Sequence, residues 1–316
     1  MRIVFIGSTN FGMQCLKQCL KVNGLEVVGI LTAPQNFKIS YSESAVKNFL
    51  FADFNELAKT NNIPITILKD TMQDPFLFKF IKDWEPEAFL VAGWYHMIPS
   101  SWREYAPAYG LHASLLPKYS GGAPLVWAII NGENKTGITL FQMDDGVDSG
   151  PILGQKEELI FKDDTIKSLY KRIEKKGIEL LSEILPLLVN GKVIFSIQDE
   201  SQRTFVSQRS PEDGLIKWAN DSIFIERFIR AQTQPYPGAF SYLENKKLKI
   251  WEAKYNKKSI TGEYGKINFY NNSYIVSCLN GSLELIKISY DSKLYLAADL
   301  FDLLGNGGQI LDSELN

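Results

Sequence analysis

Short apolar runs alternate with amphipathic segments through the first half of the chain. "RIVFI" (2–6) is a β-branched run that ends in the turn "GSTNFG" (7–12). "FGMQCLKQCLKV" follows with helical spacing, and "VVGILT" (27–32) is a second buried-strand run. "FADFNELAKTNN" (51–62) predicts a helix, "IPITIL" (63–68) a strand, "DPFLFKFIKDW" (74–84) a helix and "EAFLVAG" (87–93) a strand. Strands alternating with helices at this spacing predict a mostly parallel sheet covered on both faces. Farther on, "DDTIKSLYKRIEKKGIELLSEILPLLVNG" (163–191) is a long amphipathic segment. Asp163 or Asp164 is the expected start cap and Gly191 the expected end, with Pro186 expected to kink or break it.

The pattern then changes. Residues 198–214, "QDESQRTFVSQRSPEDG", are polar and irregular and are taken as a linker. One helix (221–232) is followed by short alternating strands, "AFSYLE", "KLKIWEA", "GKINFYN", "SYIVSCL" and "SLELIKISY". Such strands separated by turn residues predict a small β-barrel or sandwich. The expectation is an α/β protein with a Rossmann-like domain over residues 1–200 and an OB-like β-barrel domain over 201–316.

Composition narrows the function. The 316 residues carry a formal net charge of −2, which gives no general attraction to nucleic acid or anionic membrane. No apolar run is long enough to cross a bilayer, and the apolar stretch at the N-terminus is too short for a signal peptide, so a cytoplasmic location is expected. Cys15, Cys19 and Cys278 are odd in number and form no C-x-x-C; no disulfide framework and no metal is expected. Cys15 and Cys19, at i and i+4, read as buried free thiols.

Three clusters can carry chemistry: "GWYHMIP" (93–99), "GLHASLLPKYSGGAPLVWAIINGE" (110–133) and "TGITLFQMDDGVDSG" (136–150). Ligands of open α/β sheets bind beyond the carboxyl ends of strands, where these clusters are expected to converge. Both histidines of the chain, His96 and His112, lie within them. One such histidine alone reads as structural; the two together, beside glycine turns and acids, read as functional.

"HASLLPKYSGGAP" with "TGITLFQMDDGVDSGP" resembles the formyltransferases that use 10-formyltetrahydrofolate, which include methionyl-tRNA formyltransferase and sugar-nucleotide N-formyltransferases. "SQRSPEDGLIKW" and "FIERFIRAQTQPYPGAF" look like the start of that family's C-terminal barrel, so the likeness covers nearly the whole chain. The resemblance implies that His112 and Asp148 are catalytic. A histidine accepts the proton of the attacking amine or donates to the oxyanion, and a carboxylate orients the imidazole. It also implies a folate site at Trp94, Tyr95, His96, Met97, Ile98 and Leu116, walled by Asp144, Asp145, Gly146 and Val147. An aromatic, apolar loop with exposed backbone suits a flat heterocycle. Core packing remains the alternative for Trp94, Tyr95 and Met97, and solvated turn positions for Asp144 and Asp145. The acceptor is expected at Ser8, Asn10 and Phe11, and at Lys118, Tyr119, Gly121, Gly122, Ala123 and Pro124. The 7–12 turn is equally readable as a tight βα connection.

One position departs from the family. Its asparagine two residues before the histidine, an oxyanion donor, is Gly110 here. Two readings are open. Another donor or water fills the role, His96 and Asn131 being conceivable, and the backbone requires glycine, with φ > 0 as one reason; or the site is impaired. The first is favoured.

The acceptor divides the family. A tRNA partner needs a basic surface, and the segment 33–54, "APQNFKISYSESAVKNFLFADF", has two lysines, two acids and several aromatics but no arginine–lysine cluster. The expected partners are therefore folate and a nucleotide-linked amino sugar, for polysaccharide biosynthesis, with no nucleic acid and no membrane. Tyr41, Phe51 and Phe54 are candidates to stack on a base or sugar, with core packing favoured for the phenylalanines. The barrel reads as a structural or oligomerisation module, a homodimer being the assembly it would serve. Methionyl-tRNA formylation is the first alternative, and a folate- or nucleotide-binding relative without catalysis the second.

Overall fold

A computed structural model describes residues 1–39, 42–256 and 262–314. The chain divides into two compact units built from interleaved segments. The first is Met1–Gly121, Thr136–Leu159 and Lys171–Val206; the second is Gly122–Lys135, Ile160–Tyr170 and Ser207–Asn316.

The elements run β1 (Arg2–Ile6), α1 (Asn10–Cys19), β2 (Glu26–Thr32), β3 (Asn36–Ile39), β4 (Ser42–Lys47), α2 (Asn55–Thr60) and β5 (Ile65–Ile67). They continue α3 (Pro75–Lys82), β6 (Ala88–Val91), α4 (Ser100–Tyr105), β7 (Ala108–His112), β8 (Ser120–Gly121), α5 (Pro124–Asn131), β9 (Lys135–Gln142), β10 (Ile152–Leu159), α6 (Ile166–Val189) and β11 (Phe205–Val206). The first unit holds a seven-stranded sheet in the order β10-β9-β7-β6-β1-β2-β5. β1 pairs parallel with β2 and β6, β2 with β5 and β6 with β7, whereas β9 runs antiparallel to β7. Ile3, Val4, Phe5 and Ile6 of β1 and Ala88–Val91 of β6 are buried, as central strands covered on both faces require. The chain order reverses between β1 and β6, so the loops after β1, β6 and β7 share one edge of the sheet.

Three local expectations are corrected. Segment 33–54, which follows the second strand and is expected as an insertion loop, contains the antiparallel hairpin of β3 and β4. Pro186 does not break α6, which continues to Val189; it sits near the helix end, where few bonds remain to lose. Its carbonyl accepts a bond from the Asn190 side chain at 2.7 Å. The start of α6 is capped by Thr165, whose hydroxyl accepts from the Ser168 amide (3.3 Å), rather than by Asp163 or Asp164. Asp164 instead accepts from the Phe161 amide and the Ser168 hydroxyl.

The second unit contains α7 (Ser222–Ala231) and the strands β12 (Ala239–Leu243), β13 (Lys246–Asn256), β14 (Lys266–Tyr270), β15 (Ser273–Ser277), β16 (Ser282–Tyr290), β17 (Lys293–Leu296) and β18 (Gly307–Ile310). They form a curled antiparallel half-barrel in the order β12-β13-β16-β15-β14-β18, with β17 added to β16. Its ends are drawn together where the Tyr242 and Asp312 backbones exchange hydrogen bonds of 3.0 and 2.8 Å. Leu248 and Ile250 of β13 and Leu283 and Leu285 of β16 alternate inward and, with Ile288 beyond a shift in the β13–β16 register, join Ile225 and Ile229 of α7 in one core. All three cysteines are free and buried. Burial pushes the Cys15 and Cys19 thiols up, and that of Cys278 up to about 12.

Candidate active site

His112 is the last residue of β7, where the strand leaves the sheet at its carboxyl edge. Its Nδ1 lies 3.4 Å from Asp148 Oδ2, with both side chains mostly buried. Its Nε2 lies 2.8 Å from the Tyr119 carbonyl oxygen. A carbonyl oxygen only accepts, so this contact assigns a proton to Nε2 and turns Nδ1 toward the carboxylate. Asp148 Oδ2 also accepts from the Gly121 amide at 2.8 Å. The loop after β7 therefore folds back on His112 and ties itself to the loop that bears Asp148. Tyr119 and Asp148 both have positive φ, +59° and +54°. Each such backbone costs about 1–3 kcal/mol and persists only where its surroundings impose it.

Segment 198–203 supplies part of that imposition, and sequence reasoning missed it. Gln198 Nε2 donates to the Asp148 and Gly150 carbonyls (2.8 and 2.7 Å), and Arg203 Nη1 donates to Ser120 Oγ (2.7 Å). The signal was absent locally: 198–214 is a polar stretch with no periodicity, and its partners are about 50–85 residues away in sequence.

The loop after β6 joins the same edge. The Ser8 amide donates to the Gly93 carbonyl at 3.1 Å, linking it to the β1–α1 turn. Trp94 Nε1 and His96 Nε2 are buried without a hydrogen-bond partner among the described residues. Burial lowers the pKa of His96, which favours its neutral form. The Phe37 ring of the hairpin lies 5.1 Å from the His96 ring and 5.3 Å from that of Tyr95. The Tyr95 hydroxyl donates to Asn48 Oδ1 (3.2 Å), and the buried Asn48 amide donates to the Ser8 carbonyl (3.0 Å). Asn48, like Gln198 and Arg203, is a residue that the sequence did not single out. Met97 and Val147 are exposed.

Other expected contacts are differently placed. Ile98 and Leu116 are buried, 5% and 3% exposed, and the Leu116 backbone is used by Thr139 and Gln155. Asp144 closes its own turn by accepting from the Gly146 amide and the Ser149 hydroxyl. Asp145 pairs with Arg103 at 2.8 Å. Both acids therefore have partners within the protein. Gly146 is exposed. Ser8 is fully buried, and Phe11 is 7% exposed and would meet any side chain at Gly177; only Asn10 of this turn is exposed. Thr9, not an expected site residue, caps α1 by accepting from the Gly12 amide. Lys118 is exposed beside Tyr119. Gly122, Ala123 and Pro124 lead into α5 of the second unit, which also contains Asn131. Phe54 is fully buried against Phe5, Phe51 is partly buried, and Tyr41 lies outside the described residues.

Gly110 is corrected in its physical reason. It is a regular β7 residue paired with Val91 and Phe141, and its φ is not positive. What a side chain would meet there is the Met143 methyl, the movable end of a flexible side chain, with the Phe141 ring 3.3 Å from the Cβ position. The constraint at this position is space, which a shift of Met143 can supply, and not backbone freedom. Among the described residues no cluster of His, Cys, Asp or Glu is arranged to hold a metal, and no helix is long and apolar enough to cross a membrane.

The profile described as "Formyl transferase" matches residues 1–185, and that described as "Formyl transferase, C-terminal domain" matches 209–302. The methionyl-tRNA formyltransferase of Caldanaerobacter subterraneus subsp. tengcongensis is 32% identical over 299 residues, covering 92% of this chain and 93% of its own. That of Citrifermentans bemidjiense is 33% identical over 305 residues, covering 95% and 92%. Among solved structures, WlaRD, a sugar 3N-formyl transferase crystallised with dTDP and 5-N-formyl-THF, superposes with a TM-score of 0.64 at 21% identity, over 90% of this chain and 96% of its own. An N-formyltransferase from Helicobacter canadensis, in complex with folinic acid and dTDP-3-aminofucose, gives 0.62 at 18% identity, over 90% and 98%. With both profiles matched in order and relatives above 30% identity along nearly its whole length, the chain belongs to the formyl transferase family.

Proposed function

We propose that the protein moves a formyl group from 10-formyltetrahydrofolate to the amine of a nucleotide-linked amino sugar, with His112 and Asp148 as the catalytic pair. The observation that carries the chemistry is the pair itself, an imidazole and a carboxylate 3.4 Å apart at the carboxyl edge of the sheet. The folate supplies an activated formyl carbon. The amine nitrogen forms a bond to that carbon, the bond to folate N10 breaks, the amine gives up a proton and N10 gains one. His112 and Asp148 are the groups to hold that proton between the two nitrogens. Such transfer contributes typically about 10²–10⁴ in rate, and holding two substrates together contributes more. The folate is assigned to the loop 93–99, where the nitrogens of Trp94 and His96, buried without a partner among the described residues, fit a heterocycle edge.

The acceptor is argued from charge. In residues 33–54, Lys38 and Lys47 are matched by Glu43 and Asp53; in 207–316, thirteen basic residues are matched by thirteen acidic ones. That balance does not neutralise several phosphates of a tRNA. One observation favours a second reading, methionyl-tRNA: the relatives at 32% and 33% identity bear that name. Turnover of dTDP-, UDP-, GDP- and CMP-linked amino sugars and of methionyl-tRNA, each with 10-formyltetrahydrofolate, decides between them. A nucleotide sugar is expected to show the higher kcat/KM. Efficient formylation of methionyl-tRNA alone would replace this reading with the second.

A further inference from the structure

We infer that Arg203 and Gln198 are positioning residues that fix the His112–Asp148 geometry; the inference rests on the proposed role of that pair. Asp148 carries its carboxylate from a backbone at φ +54°, in the left-handed region that few residues other than glycine adopt. Four carbonyls and hydroxyls around it converge on two side chains. Gln198 spends its amide protons on the Asp148 and Gly150 carbonyls, at 2.8 and 2.7 Å. Arg203 Nη1 donates to Ser120 Oγ at 2.7 Å and lies 3.4 Å from both the Val147 and Asp148 carbonyls. Arg203 Nη2 donates to Gln198 Oε1 at 3.2 Å, so the two side chains also brace each other. Glu200 holds the other side of the guanidinium through two bonds of 2.6 Å.

The guanidinium thus bridges both loops of the site. Through Val147 and Asp148 it grips the loop that presents the carboxylate. Through Ser120 it grips the loop whose Gly121 amide bonds that carboxylate and whose Tyr119 carbonyl bonds His112 Nε2. The side chain is 6% exposed, too enclosed for a solvent-facing ion pair with Glu200 to be its whole purpose. Its donors radiate in one plane to several acceptors, a pattern that a lysine ammonium does not reproduce.

With only two histidines in the chain, the geometry can be read directly. Protein labelled with ¹⁵N-histidine, assigned with His112→Ala and His96→Ala, reports which His112 nitrogen carries the proton. Arg203→Met, Arg203→Lys and Gln198→Leu are compared with the wild type by this spectrum, by thermal melting and by steady-state formyl transfer. The inference expects folded variants with an altered His112 ring spectrum and kcat reduced between about 10- and 100-fold, the scale of a small misplacement, with KM nearly unchanged. Arg203→Lys is expected not to restore kcat. Gln198→Leu carries the same test should Arg203→Met not fold. Folded variants whose His112 spectrum and kcat match the wild type would overturn the inference, as would a kcat loss fully restored by lysine. Because the ring spectrum needs no substrate, that failure is separate from a failure of the acceptor assignment, which turnover alone reports.

Discussion

Gly110, His112 and Asp148 bear on the proposed chemistry at the scale of single residues. His112→Ala is expected to lower kcat by about 10²–10⁴ while circular dichroism stays unchanged, since the last residue of a strand loses a proton carrier and the strand keeps its pairing. Asp148→Asn keeps the shape but removes the anion facing Nδ1, and a loss of at least about 10² in kcat is expected. Near-wild-type turnover in either folded variant would remove that residue from the mechanism. At Gly110 an asparagine side chain must displace the Met143 methyl. Gly110→Asn is therefore expected to lower kcat, and a second change, Met143→Ala, to return part of the loss by opening that space. A tenfold or larger gain for Gly110→Asn alone, with unchanged melting temperature, would instead mark the site as impaired for want of the donor.

Among the elements, the central strands and amphipathic helices were legible because their burial is written in local periodicity. "RIVFI" and "AFLV" are buried runs, and α7 shows an apolar face at helical spacing. The hairpin of β3 and β4, the ladder of β7 with β9 and the bond from Thr165 at α6 were not, because pairing between strands and choice among neighbouring caps depend on three-dimensional partners. The long helix α6 carries a further consequence of that packing. Glu174 on it is partly buried, and burial raises its carboxyl pKa above the usual range. A carboxylate whose folded pKa is raised opposes folding once it is charged. Its cost is absent below the unfolded pKa, grows as pH rises through the unfolded and folded values, and is complete above both. Glu174→Gln is accordingly expected to raise the melting temperature at pH 8 and to leave it nearly unchanged at pH 4. Equal shifts at both pH values would show that packing, not charge, limits stability there.

At the scale of the whole molecule, what the sequence made legible was the family and the His112–Asp148 pair, since both are carried by short contiguous motifs. The polar contacts around the site, those of Asn48 with Ser8 and Tyr95 and those of Gln198 and Arg203 beside the pair, were not legible, because each reaches residues roughly 40–85 positions away through single polar contacts. The charge distribution, in contrast, is fully present in the sequence, and it bears on the acceptor. A chain with net charge −2 and balanced signs in both 33–54 and 207–316 has no net excess of cations in either segment to release counterions from a tRNA backbone. Binding through Z phosphate contacts on duplex regions gives a slope of about −0.9Z in log K against log salt. A nucleoside diphosphate offers two phosphates, so a proposed nucleotide-sugar enzyme should show a slope no steeper than about −2 for its acceptor, and only weak tRNA binding near physiological salt. Measuring acceptor KM and tRNA affinity between roughly 50 and 200 mM salt tests this, because affinity through six or more contacts would fall about 10³-fold or more over that interval. A tRNA affinity that is tight at low salt and falls that steeply, together with formylation of methionyl-tRNA, would reassign the acceptor.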